Sequence, residues 1–332
     1  MHTTAIDISK EDASRLRAML PHCLAETHFT FGKKYRGKVR DVYDRGDRLI
    51  LVTTDRLSAF DRSIALIPYK GQALNLTSAW WFEQTKTIVN NHVIAIPDPN
   101  VCIAKKCKVF PIEFVVRGYI TGSTATSLWT QYQKGVRDYC GVRFKEGLKK
   151  NEQLAQPVLT PTTKEAEHDR PISPAEIITE GWMTAADWEE ASAIALKLFH
   201  KGTEIAAAQG LILVDTKYEL GRDETGKLTL VDEVHTPDSS RYWLRHNYDE
   251  RFHRGEEPEH IDKEFLRLWF TAHCDPYNDK VLPVAPEELV IKLAARYIQL
   301  YEMITGCSFE YQTTVGSIEE RIEQHLRALG RL

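Results

Sequence analysis

The sequence predicts an α+β protein of two lobes, and three observations carry this. Short apolar runs bounded by turn residues occupy the first 120 residues, as in Leu49-Ile50-Leu51-Val52 and Phe114-Val115-Val116, and such runs read as strands. Helical periodicity dominates the C-terminal part, so strands and helices do not alternate as they would in a βαβ protein. The 332 residues hold two lobes comfortably, since domains run to ~100–200 residues. The expected division is a β-rich lobe over 1–120 and an α/β lobe over 121–332, with a cleft between them.

Ser9-Lys10-Glu11-Asp12 has the form of a capping box, and Leu16, Met19 and Leu20 follow at helical spacing. Val39, Val42 and Tyr43 precede a turn at Asp44-Arg45-Gly46-Asp47, and the run 49–52 then reads as a buried strand. Trp80 and Trp81 fall in a helix expected over 74–89, and two strands are expected over 101–116. Residues 133–181 are rich in Gly, Pro, Lys and Thr with little periodicity and read as a long irregular region. Thr184-Ala185-Ala186-Asp187 caps a helix whose face is Trp188, Ala191, Ala195, Leu198 and Ile205, ended by Gly210. Leu211-Ile212-Leu213-Val214 is a buried strand, and Leu228 to Val231 returns beside it after a turn at 221–226. Helices are expected over 286–304 and 317–329.

Composition narrows the function. Lys and Arg number 43 against 47 Asp and Glu, a net charge of −4. That balance argues against a nucleic-acid binder and favours cations used locally on small anions. No apolar run approaches the ~18–20 residues of a membrane span. The first twenty residues carry Asp7, Glu11 and Asp12 without an apolar core and do not resemble a signal peptide. The six cysteines are scattered with no CxxC pair, which reads as reduced thiols in a cytoplasmic protein.

Several segments could carry chemistry. In Leu213-Val214-Asp215-Thr216-Lys217-Tyr218-Glu219, alternation puts Asp215, Lys217 and Glu219 on one face of a strand. Charges there are costly unless they face a wet cleft or an ion. The returning strand brings Asp232 and Glu233 towards that face, and carboxylates on paired strands suit Mg²⁺. The bland alternative is a solvated face with a surface ion pair. Tyr35 to Tyr43 sets Gly37 among Arg36, Lys38 and Arg40. It is not a Walker loop, and it could lie over phosphates or be a plain basic hairpin. Arg117-Gly118-Tyr119-Ile120-Thr121-Gly122-Ser123 and Asp238-Ser239-Ser240-Arg241 have anion-binding chemistry or are ordinary polar turns. Lys164 to Asp169, with its lone His168, and Thr54 to Asp61 are polar segments of the same ambiguous kind.

Taken together, the stretches GKVRDVYD at 37–44, TTDRLSAFD at 53–61, FVVRGYITGS at 114–123, TKEAEHD at 163–169, LILVDTKYELG at 211–221 and VDEVHTPDSSRYW at 231–243 resemble the SAICAR synthetase family, in the family's order and over nearly the whole chain. The DRLSAFD form and the length resemble its longer branch. The resemblance implies a two-lobed α+β fold related to the ATP-grasp and protein kinase architectures. It also implies the reaction in which ATP, carboxyaminoimidazole ribonucleotide (CAIR) and L-aspartate give SAICAR, ADP and phosphate, through an acyl phosphate on the CAIR carboxylate.

By the same resemblance, Lys38 and Arg40 lie over the ATP phosphates, Lys105, Lys106 and Cys107 meet the adenine, and Glu113 contacts the ribose. Arg117, Ser123 and Arg241 hold the ribose phosphate of CAIR. Glu219 and Asp232 bind Mg²⁺, with Asp215 and Lys217 beside the reacting groups. Lys164 and Asp169 help to complete the CAIR and aspartate sites, and Asp55, Ser58 and Asp61 line the same cleft. The implied partners are these small molecules, with no nucleic acid or membrane, and the chain is a monomer or homodimer. A small-molecule kinase on the same scaffold and a nucleotide-binding regulator without turnover are the competing readings.

Overall fold

Alternating burial builds the sheet of the first unit. Ile50 and Val52, Val101 and Ile103, and Tyr43 all turn to one face, where Ile318, Ile322 and Leu326 of the helix Ile318–Ala328 cover them. The structure, a computed structural model, describes residues 8–60, 62–124, 126–164, 169–261, 263–312 and 316–330. Asp61, Glu165, Glu167 and His168, singled out above, lie outside the described residues.

The chain forms two units: Met1–Trp81, Val93–Lys106 and Ile261–Leu332 make the first, and Phe82–His92 and Cys107–His260 the second. A single cut at residue 120 therefore does not describe how the contacts group. Strand Ile112–Ile120 is central to the second unit's sheet, and the C-terminal helices pack with the N-terminal strands.

The first unit's sheet runs Lys33–Arg36, Arg40–Asp44, Arg48–Thr53, Val101–Lys105, Val93–Asp98, all antiparallel. The capping box expected at Ser9 forms in part, with Ser9 accepting from the Asp12 amide to start the helix Lys10–Met19. The helices Lys10–Met19, Glu264–His273 and Glu287–Thr305 build a second apolar layer with Ile67, Tyr69 and Ala73. The helix expected over 74–89 spans Lys70–Thr85.

In the second unit the twelve-residue strand Leu211–Arg222 is flanked by Ile112–Ile120 and Leu228–Val231 and also pairs with Ser240–Leu244. One face is covered by the helix Ala185–Ala208, capped by Thr184 as expected. Trp188 stacks on Phe114 at 5.5 Å, and Phe199 packs against Gly118. The expectation of an irregular 133–181 is corrected. It contains the strand Glu152–Leu159 and a helix Pro174–Thr179, and its Tyr139, Phe144 and Leu148 form a small core with Ile120 and Tyr132. Glu152–Leu159 ends its sheet, and such a strand tolerates Pro157 and polar residues that hide its periodicity.

Candidate active site

The face of the second unit's sheet turned away from the helix Ala185–Ala208 collects the charges. Tyr218 turns to the opposite face, where its hydroxyl meets His235 Nε2 at 2.5 Å, and burial pushes that imidazole down to about 3. Alternation then places Asp215, Lys217 and Glu219 together on the face away from the helix, one face as expected. Register does the rest: Asp215 lies opposite both Arg117 and Arg241, and Lys217 opposite Val115.

The result is two adjoining clusters. In one, Asp215 Oδ2 accepts from Arg241 at 2.5 Å and from Arg117 at 3.1 Å, while Arg117 Nε donates to Thr160 at 2.8 Å. Asp215 is buried and both arginines are largely so. Sharing one carboxylate oxygen aligns the two guanidinium forks and leaves them a net positive charge.

Beside Arg241, Gly122 turns the chain at φ +109°, and a Cβ there would lie 2.4 Å from Ser127 Cβ. Only glycine makes that turn, and it leaves Ser123 exposed.

In the other cluster Lys217 Nζ meets Glu113 at 2.6 Å, and Lys164 Nζ meets Glu219 at 2.6 Å. Burial alone would lower the Lys217 pKa, but the charges of Glu113, Glu219 and Asp232 override it and hold the ammonium above its ordinary value. Lys217 is thus a fixed cation and not a base. Burial and the nearby charge of Asp232 push Glu219 up to about 7, against the pull of Lys164 and Lys217. Asp232 itself sits at φ +63°, a left-handed kink that Asp tolerates better than most residues.

Among the described residues no group of three or more His, Cys, Asp or Glu converges to hold a metal. Two carboxylates that repel one another fit Mg²⁺, which binds through one or two carboxylates plus substrate phosphates. The loop bearing Lys164 is closed at its base by Thr163 and Arg170, whose backbones pair at 3.0 Å, and Asp169 is exposed on it.

The other expected residues lie in or at the edge of the first unit. Lys38 is exposed and Arg40 half-buried, at the turn joining Lys33–Arg36 to Arg40–Asp44. Lys105 ends its strand, Lys106 pairs with Asp44 at 2.6 Å, and Cys107 begins the longer segment of the second unit. Ser58 is half-buried, and its carbonyl accepts from Lys263.

Asp55 is a correction. It is 1% exposed, and its oxygens accept the amides of Leu24 at 2.7 Å and Gly71 at 2.9 Å. A carboxylate so enclosed joins chain segments and lines no ligand surface. Sequence reasoning missed Thr160, which has no local signal, and Asp41 and Arg56. These last two form a buried pair at 2.8 Å beneath the basic turn, although Arg56 stood inside the 53–61 stretch.

A sheet face that fixes lysines, a paired arginine fork and two repelling carboxylates defines an enzyme acting on phosphorylated, anionic substrates. The family model for SAICAR synthetase matches residues 33–284, and the chain belongs to that family. It is 68% identical over 308 residues to phosphoribosylaminoimidazole-succinocarboxamide synthase of Legionella pneumophila (strain Paris), covering 93% of this chain and 99% of that one. The chloroplastic enzyme of the same name from Arabidopsis thaliana is 58% identical over 315 residues, with 93% and 77% covered. SAICAR synthase from Saccharomyces cerevisiae, solved complexed with SAICAR, superposes with a TM-score of 0.74 at 33% identity over 87% of this chain and all of that one. A type-2 SAICAR synthetase in complex with ADP gives 0.64 at 25% identity, over 84% of this chain and all of that one. The chain is accordingly an ATP-dependent ligase of purine biosynthesis. It forms the C–N bond between L-aspartate and the carboxylate of CAIR to give SAICAR, ADP and phosphate. Among the described residues no helix is long and apolar enough to cross a membrane.

Proposed function

We propose that this charged sheet face of the second unit carries the ligation, and that the basic turn of the first unit holds the ATP phosphates. The observation that carries the reading is the joining of Arg117, Asp215 and Arg241 in one row, with the ion pairs Lys217–Glu113 and Lys164–Glu219 beside it.

A carboxylate resists attack by an amine, so it must first gain a leaving group. The CAIR carboxylate oxygen attacks the γ-phosphorus, the bond from that phosphorus to the β-bridging oxygen breaks, and ADP leaves. The aspartate amine then attacks the acyl carbon, phosphate departs with the former carboxylate oxygen, and the nitrogen gives up its proton. Phosphoryl transfer of this kind depends on positioning and charge neutralisation.

Arg117 and Arg241 clamp the ribose phosphate of CAIR, with Ser123 adding a hydroxyl and Asp215 holding both forks. Lys217, kept protonated, stands by the reacting groups and offsets the charge gathered there. Glu219 and Asp232 would hold Mg²⁺, which when bound neutralises phosphate charge. Glu113 reaches the ATP ribose. Lys38 and Arg40 take the phosphates, and the 105–107 segment takes the adenine. Lys164 and Asp169 complete the CAIR and aspartate sites, with Ser58 lining them.

The test is a coupled assay with Mg²⁺, ATP and CAIR, with and without L-aspartate. SAICAR formed one-for-one with ADP, and only with aspartate present, is expected. ADP released equally fast without CAIR or aspartate would refute the reading.

A further inference from the structure

The buried end of the 53–61 stretch is not used by the reaction, yet its contacts converge on one place. Arg56 is 2% exposed. It donates to the carbonyls of Ala25 at 2.5 Å, Gly37 at 3.0 Å and Lys38 at 3.3 Å, and to Asp41 Oδ1 at 2.8 Å. The other oxygen of Asp41, fully buried, accepts the Thr27 amide at 2.7 Å and its hydroxyl at 3.0 Å, and Lys34 Nζ lies 3.4 Å from it. One residue on, the Val39 carbonyl accepts from the Thr54 amide at 3.0 Å and the Thr54 hydroxyl at 2.8 Å. Three consecutive carbonyls of the basic turn, 37 to 39, are thus tied to Thr54 and Arg56.

Burying an ion pair is a poor way to gain stability, since apolar side chains of the same volume do as well. What this pair does is fix peptide planes. The described peptides include no cis bond. In a trans peptide the N–H points opposite to the carbonyl. With the carbonyls of Gly37 and Lys38 drawn towards Arg56, the amides of Lys38 and Val39 turn away from it. Successive amides so presented form a concavity for an anion.

We infer that Thr54 and Arg56, with Asp41 beneath, are positioning residues that hold the turn Gly37–Arg40 in its phosphate-accepting shape. The inference rests on the reading above that this turn meets the ATP phosphates, and steady-state kinetics can separate the two.

Lys38→Ala tests the reading. It is expected to raise KM for ATP about 10-fold while KM for CAIR and aspartate and the melting temperature stay unchanged. Arg56→Lys keeps the charge and loses the fork. It should raise KM for ATP about 10-fold with KM for CAIR within about 2-fold, as misplacement of a binding element costs this much. Thr54→Val removes one hydroxyl, keeps the amide bond, and should raise KM for ATP about 3-fold with the same split. If Arg56→Lys fails to fold, Thr54→Val decides alone. Wild-type KM for ATP in Thr54→Val and in folded Arg56→Lys, with Lys38→Ala impaired, would overturn the inference and leave the reading standing. Unaltered ATP kinetics in Lys38→Ala would overturn both.

Discussion

Arg117 spends its guanidinium twice, on Asp215 and on Thr160, and its remaining N–H groups are the ones a phosphate could take. Removing it takes away one fork of the clamp and leaves Asp215 held by Arg241 alone. Truncating one partner of a buried charged contact costs ~2–5 kcal/mol. Arg117→Ala is therefore expected to raise KM for CAIR by at least about 30-fold while KM for ATP changes little, because each ~1.4 kcal/mol is tenfold. Steady-state kinetics with each substrate varied in turn checks this, and equal rises in both constants would remove Arg117 from the CAIR site. Lys217, by contrast, is defined by what it cannot do. Its neighbours keep it protonated, so an uncharged replacement of the same length should not gain activity at high pH as a missing base would.

The helix Ala185–Ala208 depends on a glycine in its interior, which propensity alone disfavours by ~1 kcal/mol. A Cβ on Gly202 would lie 2.3 Å from His235 Cε1 and 2.7 Å from Leu213 Cδ2. The close approach lets His235 pack under the helix and reach Tyr218. Gly202→Ala should gain propensity and still lose ~1–3 kcal/mol overall by overpacking, read as a lower urea midpoint; an unchanged or higher midpoint would show that the imidazole moves aside freely. The same sheet marks how far sequence alone could go. The face of Asp215, Lys217 and Glu219 was legible because period-2 alternation is local. The sharing of Asp215 by Arg117 and Arg241 was not, because it depends on strand register across separations of 98 and 26 residues. The strand Glu152–Leu159 was hidden by its polar, proline-bearing edge. Asp55 was misjudged because a polar residue after a buried strand looks alike whether it faces a ligand or a ring of backbone amides.

The C-terminal segment folds with the N-terminal strands through the apolar face of Ile318–Ala328 and through Arg321, which grips Asp98 at 2.9 Å. No local pattern announces such a pairing of chain ends, and it gives each unit its own buried titratable groups. In the first, burial pushes Asp55 up to about 6, against the amides of Gly71 and Leu24 and the charges of Lys70 and Arg321. The folded unit keeps a proton that the unfolded chain releases near 3.8, so this unit gains stability as pH falls through that window. In the second, two groups oppose each other. His235, lowered from 6.5 to about 3, costs stability as pH falls below 6.5, because the unfolded chain takes up the proton first. Glu219, raised from 4.5 to about 7, returns stability over nearly the same range. Native-state hydrogen exchange at pH 6.5 and 4.5 should therefore show protection in Arg48–Thr53 rising by about 2 kcal/mol, at ~1.4 kcal/mol per pH unit below 6, while Leu211–Arg222 stays level. Asp232→Asn removes the second of the two causes that raise Glu219, after burial, so it leaves His235 only partly compensated and should make Leu211–Arg222 lose some protection on the same acidification. A second unit that weakens in the unaltered protein, or that stays level in Asp232→Asn, would mean that Glu219 and Asp232 do not share their field.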